Sequence, residues 1–344
     1  MSRQVDSVAA DQPAFGSPTP SFDWKEVVWY NVFILATWHV MAVYALLFVL
    51  PSTSFTAILT LWIALWWFSG LGITAGAHRL WSHRSYKARL PLQIFLALCN
   101  SMAFQGSIFE WSRDHRVHHK ASDTTGDPHN SRRGFFFAHC GWVMVRKHED
   151  VRKEGKRISF ADLETDPLVQ FQKKHYLWSV LLMCYIFPTA VGYFMFNSAW
   201  LGFWIGGIFR HVWVLHMTWC VNSVAHFFGY KPYDRNSRAV ENLFVSIGAI
   251  GEGWHNYHHR FPTDYATGEM GVTGQWNPTK AFIDVMAYFG QAYDLKRSKT
   301  AAATREKVKI AMDEEALKGI VQPTTTDQFV NWLFFGRTED QSVF

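Results

Sequence analysis

His115-Arg116-Val117-His118-His119 sets three imidazoles three and four residues apart, a spacing that puts them on one face of a helix. The same H-x-x-H-H pattern returns as His255, His258 and His259. His78 and His83 make a further pair, and His226 follows Asn222 at a spacing of four. One such motif is easily a chance grouping of surface histidines. Four segments point to metal, because neutral imidazole is a good ligand for first-row transition ions. Nine imidazoles exceed what one ion accepts, since a zinc site takes four ligands and a catalytic one fewer. Two ions able to take six ligands would use them, although imidazole alone does not choose among iron, zinc, copper and nickel. His78 and His83 lie about 140° apart on a regular helix, so a helix carrying both is expected to end between them.

The elements that must position these residues are membrane helices. Residues 27–50, 55–76, 176–196 and 200–221 are nearly free of charge, and each approaches the roughly 20 residues that cross a bilayer core. Pro51-Ser52-Thr53-Ser54 and Asn197-Ser198-Ala199 are short, uncharged links. Lys and Arg instead crowd residues 79–174 and the region after His226, which places both termini and every histidine motif on the cytosolic side. The fold expected is an all-α membrane protein, four transmembrane helices carrying a cytosolic helical cap with a histidine-rich di-metal site. Residues 90–109 read as a buried or interfacial helix, and 278–293 as an amphipathic helix able to lie on the membrane. The organisation expected is a disordered tail over 1–24, a membrane domain over 25–297 and a C-terminal tail over 298–344 without assigned chemistry.

A mean hydropathy of -0.05 averages these spans with a charged remainder. The 17 Trp and 29 Phe agree with a membrane setting. A net charge of +5 comes without any helix-turn-helix, RRM or zinc-finger pattern, so no nucleic-acid partner is expected; a phosphorylated substrate or an anionic membrane surface suits the charge better. Cys99, Cys140, Cys184 and Cys220 are scattered and suggest neither a disulfide framework nor a thiolate site.

The histidine motifs, together with Gly72-Ile73-Thr74-Ala75-Gly76, Asp127-Pro128-His129-Asn130, Gly229-Tyr230-Lys231-Pro232-Tyr233-Asp234 and Gly251-Glu252-Gly253, resemble the membrane-bound acyl-CoA desaturases, the stearoyl-CoA (delta-9) desaturase family. The likeness runs in order over roughly residues 25–297. It implies a centre of two iron ions (Fe2+), for which zinc could substitute in purified protein. The centre would activate O2 with electrons from cytochrome b5 and its NADH-dependent reductase, and insert a cis double bond into a saturated fatty acyl-CoA at the endoplasmic reticulum membrane. The ligands implied are His78, His83, His115, His118, His119, His226, His255, His258 and His259, with Asn222 acting through water. Arg113, Asp114, Arg146 and Lys147 would hold the CoA, and Trp111, Thr218 and Trp219 would shape the bend of the acyl channel. Arg146 and Lys147 also begin a charged run that could sit on solvent or anionic lipid.

Spacing adds a further expectation. Trp66, Gly70, Thr74 and His78 step by four along one helix face, with Gly70 about 12 Å and Trp66 about 18 Å from His78, so this line could form the wall of the acyl channel. Carboxylates are expected to orient the imidazoles, with Glu110, Glu252 and Asp264 as candidates. His39, His129, His139, His148, His175, His211 and His216 are read as structural or surface residues. The sequence departs from the family at Gly106-Ser107, where Asn-Asp is frequent, and no His-Pro-Gly-Gly haem motif is found, so cytochrome b5 would be a separate partner. A hydroxylase or a desaturase of other regiochemistry could use the same ligands. A membrane metal sensor or transporter is the alternative of another class, with His211 and His216 as the hint of an ion path.

Overall fold

The computed structural model describes residues 23–272 and 274–317. Among the described residues, three helices are each long and apolar enough to cross a membrane, α1 (Trp29–Ser52), α2 (Phe55–Ser82) and α5 (Tyr176–Phe196), and the bent pair Leu90–Ala103 with Ile108–Ala121 would make a fourth span if taken as one. Between them stand α3 (Leu90–Ala103) and α4 (Ile108–Ala121); after them come α6 (199–222), α7 (Leu243–Gly248), α8 (His255–Arg260), α9 (Pro278–Tyr288) and α10 (Ala301–Leu317). Much of the apolar surface of the crossing helices is exposed, including Phe33, Val40, Phe48, Trp178 and Phe194, as lipid contact requires.

The helix expected over 200–221 is present as α6, but its composition is less lipid-like than that of the other three. The reason is Arg210, fully buried, which donates to the carbonyls of Gly206, Met102 and Cys184 and to Ser69 Oγ. A guanidinium inside a bundle needs such acceptors, and here they tie α6 to α2, α3 and α5. Close approach completes the packing: a Cβ on Gly192 of α5 would stand 2.5 Å from the Gly202 Cα of α6.

The apolar stretch at 90–109 does not run straight. Helix α3 stops at Ala103, Phe104 and Gly106 take positive φ, and α4 departs at 82°. Gly106 has φ +95, a conformation open to glycine at little cost, and Ser107 then caps α4 in a reciprocal pairing with Glu110. This turn carries the second histidine motif to the end of the bundle where α2 and α6 finish. Helix α9 packs Phe282 against Phe95 of α3, with ring centroids 6.0 Å apart, and exposes Val285, Tyr288 and Phe289. A two-residue antiparallel pairing of Lys87 with Tyr293 and Ala88 with Ala292 fastens the segment after α9 beside the end of α2.

Candidate metal centre

The nine histidines converge as two groups with none left over. His78, His83, His115, His119 and His258 form one; His118, His226, His255 and His259 form the other, and within each group the ligand atoms lie within 4.8 Å of one another. In the first, Nε2 atoms stand 2.9 Å apart for His78 and His258, 2.8 Å for His83 and His115, and 2.9 Å for His119 and His258. In the second, the separations are 3.1 Å for His226 and His255, 3.0 Å for His255 and His259, and 3.3 Å for His118 and His259. With a metal–nitrogen bond of about 2.1 Å, donors at right angles sit about 3.0 Å apart and tetrahedral donors about 3.4 Å apart. Both donor sets therefore have the spacing of a coordination shell, and most separations favour right angles over a tetrahedron.

The H-x-x-H-H motif explains the division. Residues one and five are a helical turn apart, so His115 and His119 serve one group while His118, turned away by about 100°, serves the other. The third motif repeats the logic with the assignments exchanged: His255 and His259 share a group and His258 joins the first. His78 and His83 meet by a different device. The helix does end between them, at Ser82 with His83 as its cap, but Gly72–Ser82 is wound with i→i+5 hydrogen bonds, the last from His83 N–H to the His78 carbonyl at 3.1 Å. That wider turn brings residues five apart onto nearly the same side, and the two rings lie 4.9 Å apart. Asn222 ends α6 half-buried, four residues before His226, which the short helix Val224–Phe227 carries into the second group.

Carboxylates behind the rings fix their orientation. His78 Nδ1 lies 3.1 Å from Glu252 Oε2, whose other oxygen accepts from Arg79 at 3.0 Å. His118 Nδ1 lies 2.9 Å from Asp127, and His226 Nδ1 lies 3.4 Å from Asp123. Of the three expected carboxylates only Glu252 takes this role. Glu110 is spent on capping α4, and Asp264 accepts from Tyr257 Oη and two backbone N–H groups. Asp127 and Asp123 take the role instead from the loop after α4: Asp127 opens the Asp127-Pro128-His129-Asn130 motif, whereas Asp123 carries no motif and meets His226 only through the tertiary fold. His129 is likewise neither surface nor remote: it is buried, its ring 4.2 Å from that of His118 and its Nδ1 3.6 Å from Asp127. Its place in Asp127-Pro128-His129-Asn130 was the available signal.

Burial, reinforced by the neighbouring imidazoles, pushes His255, His258 and His259 well below the ordinary histidine value. Each is then neutral at pH 7 with a lone pair available to an ion. Glu252 is held ionised: burial opposes its charge, but Arg79 and His78 outweigh that and pull its carboxyl below the usual value.

Around the first group, Trp111 stacks on His115 with centroids 4.9 Å apart. Ile73, Ala103 and Val214 pack together, with Trp66 and Trp111 against them, which makes a continuous apolar surface from the imidazoles toward Trp66. Gly70 faces Ile250, and Thr74 bonds Thr279 across a 2.7 Å contact. Thr218 accepts from Gln105, and Trp219 sits among His39, His139 and His216. Asp114 pairs with both Arg113 and Lys147, and Arg146 and Lys147 line a shallow open cleft with Arg133, His148 and Trp142. His211 packs on Phe104 and Trp38, and His216 bridges His39 and His139; neither enters a metal group.

Comparison with known proteins agrees with this geometry. The family model described as fatty acid desaturase matches residues 51–265. The chain belongs to the fatty acid desaturase family. It is 51% identical over 275 residues to stearoyl-CoA desaturase 5 of Bos taurus, covering 80% of this chain and 81% of that one. Acyl-CoA Delta-9 desaturase of Acheta domesticus is 50% identical, with 79% and 76% covered, and Delta(9)-fatty-acid desaturase fat-7 of Caenorhabditis elegans is 47% identical, with 86% and 87% covered. This desaturase is thus an oxidoreductase and a membrane protein, with the nine histidines of the two groups gathered at the end of the bundle remote from the 53–54 and 197–198 turns.

Proposed function

We propose that the protein inserts a cis double bond, at the delta-9 position, into a saturated fatty acyl-CoA, using O2 and two electrons delivered by cytochrome b5 and its reductase. The observation that carries this reading is the division of nine imidazoles into two neighbouring coordination shells beside an apolar surface. Two iron ions would be held by His78, His83, His115, His119 and His258 on one side and by His118, His226, His255, His259 and, through water, Asn222 on the other; zinc could replace them. Bound there, they would supply an oxidant able to take hydrogen from an unactivated methylene, which no side chain can do.

The chain's own residues bind, orient and exclude. Arg146 and Lys147 line the basic cleft and, with Arg113, would receive the CoA phosphates as charge-assisted partners, while Asp114, paired with Arg113 and Lys147, would hold those two cations in place. Trp111, Thr218 and Trp219 would bend the acyl chain past the imidazoles, and the apolar surface toward Trp66 would keep water from the reacting carbons. Glu252, Asp127 and Asp123 would hold the rings in one tautomer. We place the membrane domain at 25–297 in the endoplasmic reticulum, multi-pass, with both termini and the site cytosolic. The test is to supply membranes containing the protein with saturated acyl-CoA, NADH, cytochrome b5 and its reductase, and to locate the new double bond by mass spectrometry. A hydroxylated product, or none in a sample loaded with iron, overturns the proposal.

A further inference from the structure

Behind α8 lies a pocket of carboxylates. Tyr257, two residues after His255 and so on the opposite face of that helix, donates its hydroxyl to Asp264 at 2.6 Å and its backbone N–H to Glu241 at 2.7 Å. Tyr233, packed on the Tyr257 ring, donates to Glu269 at 2.6 Å. Glu241 and Asp264 are each 1% exposed, and Glu241 Oε2 has no donor among the described residues. Burial pushes the Glu241 carboxyl up to about 8 and leaves it mainly the neutral acid at pH 7, so the charges that need cations under this short helix are those of Asp264 and Glu269.

The cations come from the C-terminal segment. Arg297 Nη1 lies 3.4 Å from Asp264 and 3.1 Å from the Gly268 carbonyl, while Nη2 donates to the Glu269 carbonyl at 3.0 Å. Arg305 of α10 pairs with Glu269 at 3.1 Å. Ser298 N–H donates to Asp264, and Ala301 is buried in a cluster with Tyr233, Tyr257 and Phe261. Lys296 carries the segment to the first histidine motif: its N–H donates to the Ser85 carbonyl at 2.9 Å and its Nζ to the Arg84 carbonyl at 2.6 Å, directly after His83.

We propose that residues 296–317 are a clamp for the metal centre, in which Arg297 and Arg305 neutralise Asp264 and Glu269 behind α8 and Lys296 ties that helix to the end of α2. The clamp positions His255, His258 and His259 and touches neither substrate nor ion. It rests on the metal-centre reading for its consequence, though not for its contacts. Without the two guanidiniums, the charge on Glu269 and Asp264 loses its counterpart, the two tyrosine hydrogen bonds lose their setting, and α8 loosens.

The test uses the full chain purified with its metal, as wild type, as Arg297→Ala/Arg305→Ala, and as that double variant with Glu269→Gln. Two quantities are read: the rate of metal loss to a chelator, and amide hydrogen exchange over 254–261 compared with 29–52. The double variant should lose metal at least threefold faster and exchange faster at 254–261 alone. Glu269→Gln, which removes one carboxylate charge yet keeps an oxygen for Tyr233 while Asp264 stays charged, should restore both in part. Wild-type metal loss and exchange in the double variant, uniform acceleration across the spans, or failure of the Gln rescue each overturns the clamp. A wild type that binds no metal overturns the metal-centre reading instead, and exchange at 254–261 still decides the clamp.

Discussion

Replacing Glu252 by Gln separates orientation of a ligand from simple charge balance. Glu252 is 6% exposed, accepts from His78 Nδ1 at 3.1 Å and from Arg79 Nε and Nη2 at 3.0 Å each. An amide is nearly isosteric but has one oxygen, so it cannot accept from both the imidazole and the guanidinium. Loss of the partner that orients a ligating histidine typically costs about 10–100-fold in metal affinity, or about 1.4–2.7 kcal/mol. Stability should also fall, because Arg79 is fully buried. Breaking a buried ion pair costs about 3–5 kcal/mol, and the lower end applies because the carbonyls of Tyr265, Ala266 and Gly251 and Asn277 Oδ1 still receive Arg79. The assay is chelator competition for metal alongside thermal unfolding of the metal-free protein. Asp127→Asn, which meets His118 without an arginine, should weaken metal with a smaller loss of stability. Were Glu252→Gln to bind metal as wild type while melting lower, Glu252 would be only a counter-ion for Arg79.

Gly70→Trp should shift preference toward shorter acyl chains, since even a Cβ there would approach Ile250 Cδ1 to 2.8 Å; an unchanged product profile across an acyl-CoA series by mass spectrometry would refute a channel along that face. Stability of the metal-free protein should fall as pH drops below about 6.5. His255, His258 and His259 have lowered folded values, so the unfolded chain takes up protons first, and Glu252 acts in the same direction at lower pH; a melting temperature flat from pH 7.5 to 5.5 would contradict this. His118, held above the ordinary value by Asp127 against its burial, acts in the opposite sense and partly offsets the fall. His216→Ala should leave metal content unchanged by elemental analysis, because its ring is engaged by His39 and His139; loss of an ion would revive a transport path through α6.

The candidate ligands were legible in the chain because coordination depends on residue type, and because helical spacing sets the imidazoles of each motif near one face. Which imidazole serves which group was not legible: His118 and His119, about 100° apart on their helix, part into separate groups only where the helices meet, as do His258 and His259. The apolar runs were legible for a similar reason, since a bilayer demands about 20 unbroken apolar residues from each crossing helix. Three features depended on how the chain packs and not on residue type or helical period. The widened turns of α2, which unite His78 with His83, suit a segment buried along its whole length from Gly72 to Ser82. Asp123 and Asp127 find their imidazoles only after a loop folds over α4, and Arg210 is tolerable only once three other helices present oxygens to it. Residue type and period thus set which atoms can bind metal and which segments enter lipid. The partners of each buried charge were chosen by tertiary packing, because desolvation makes a charge depend on whatever surrounds it and not on its neighbours along the chain.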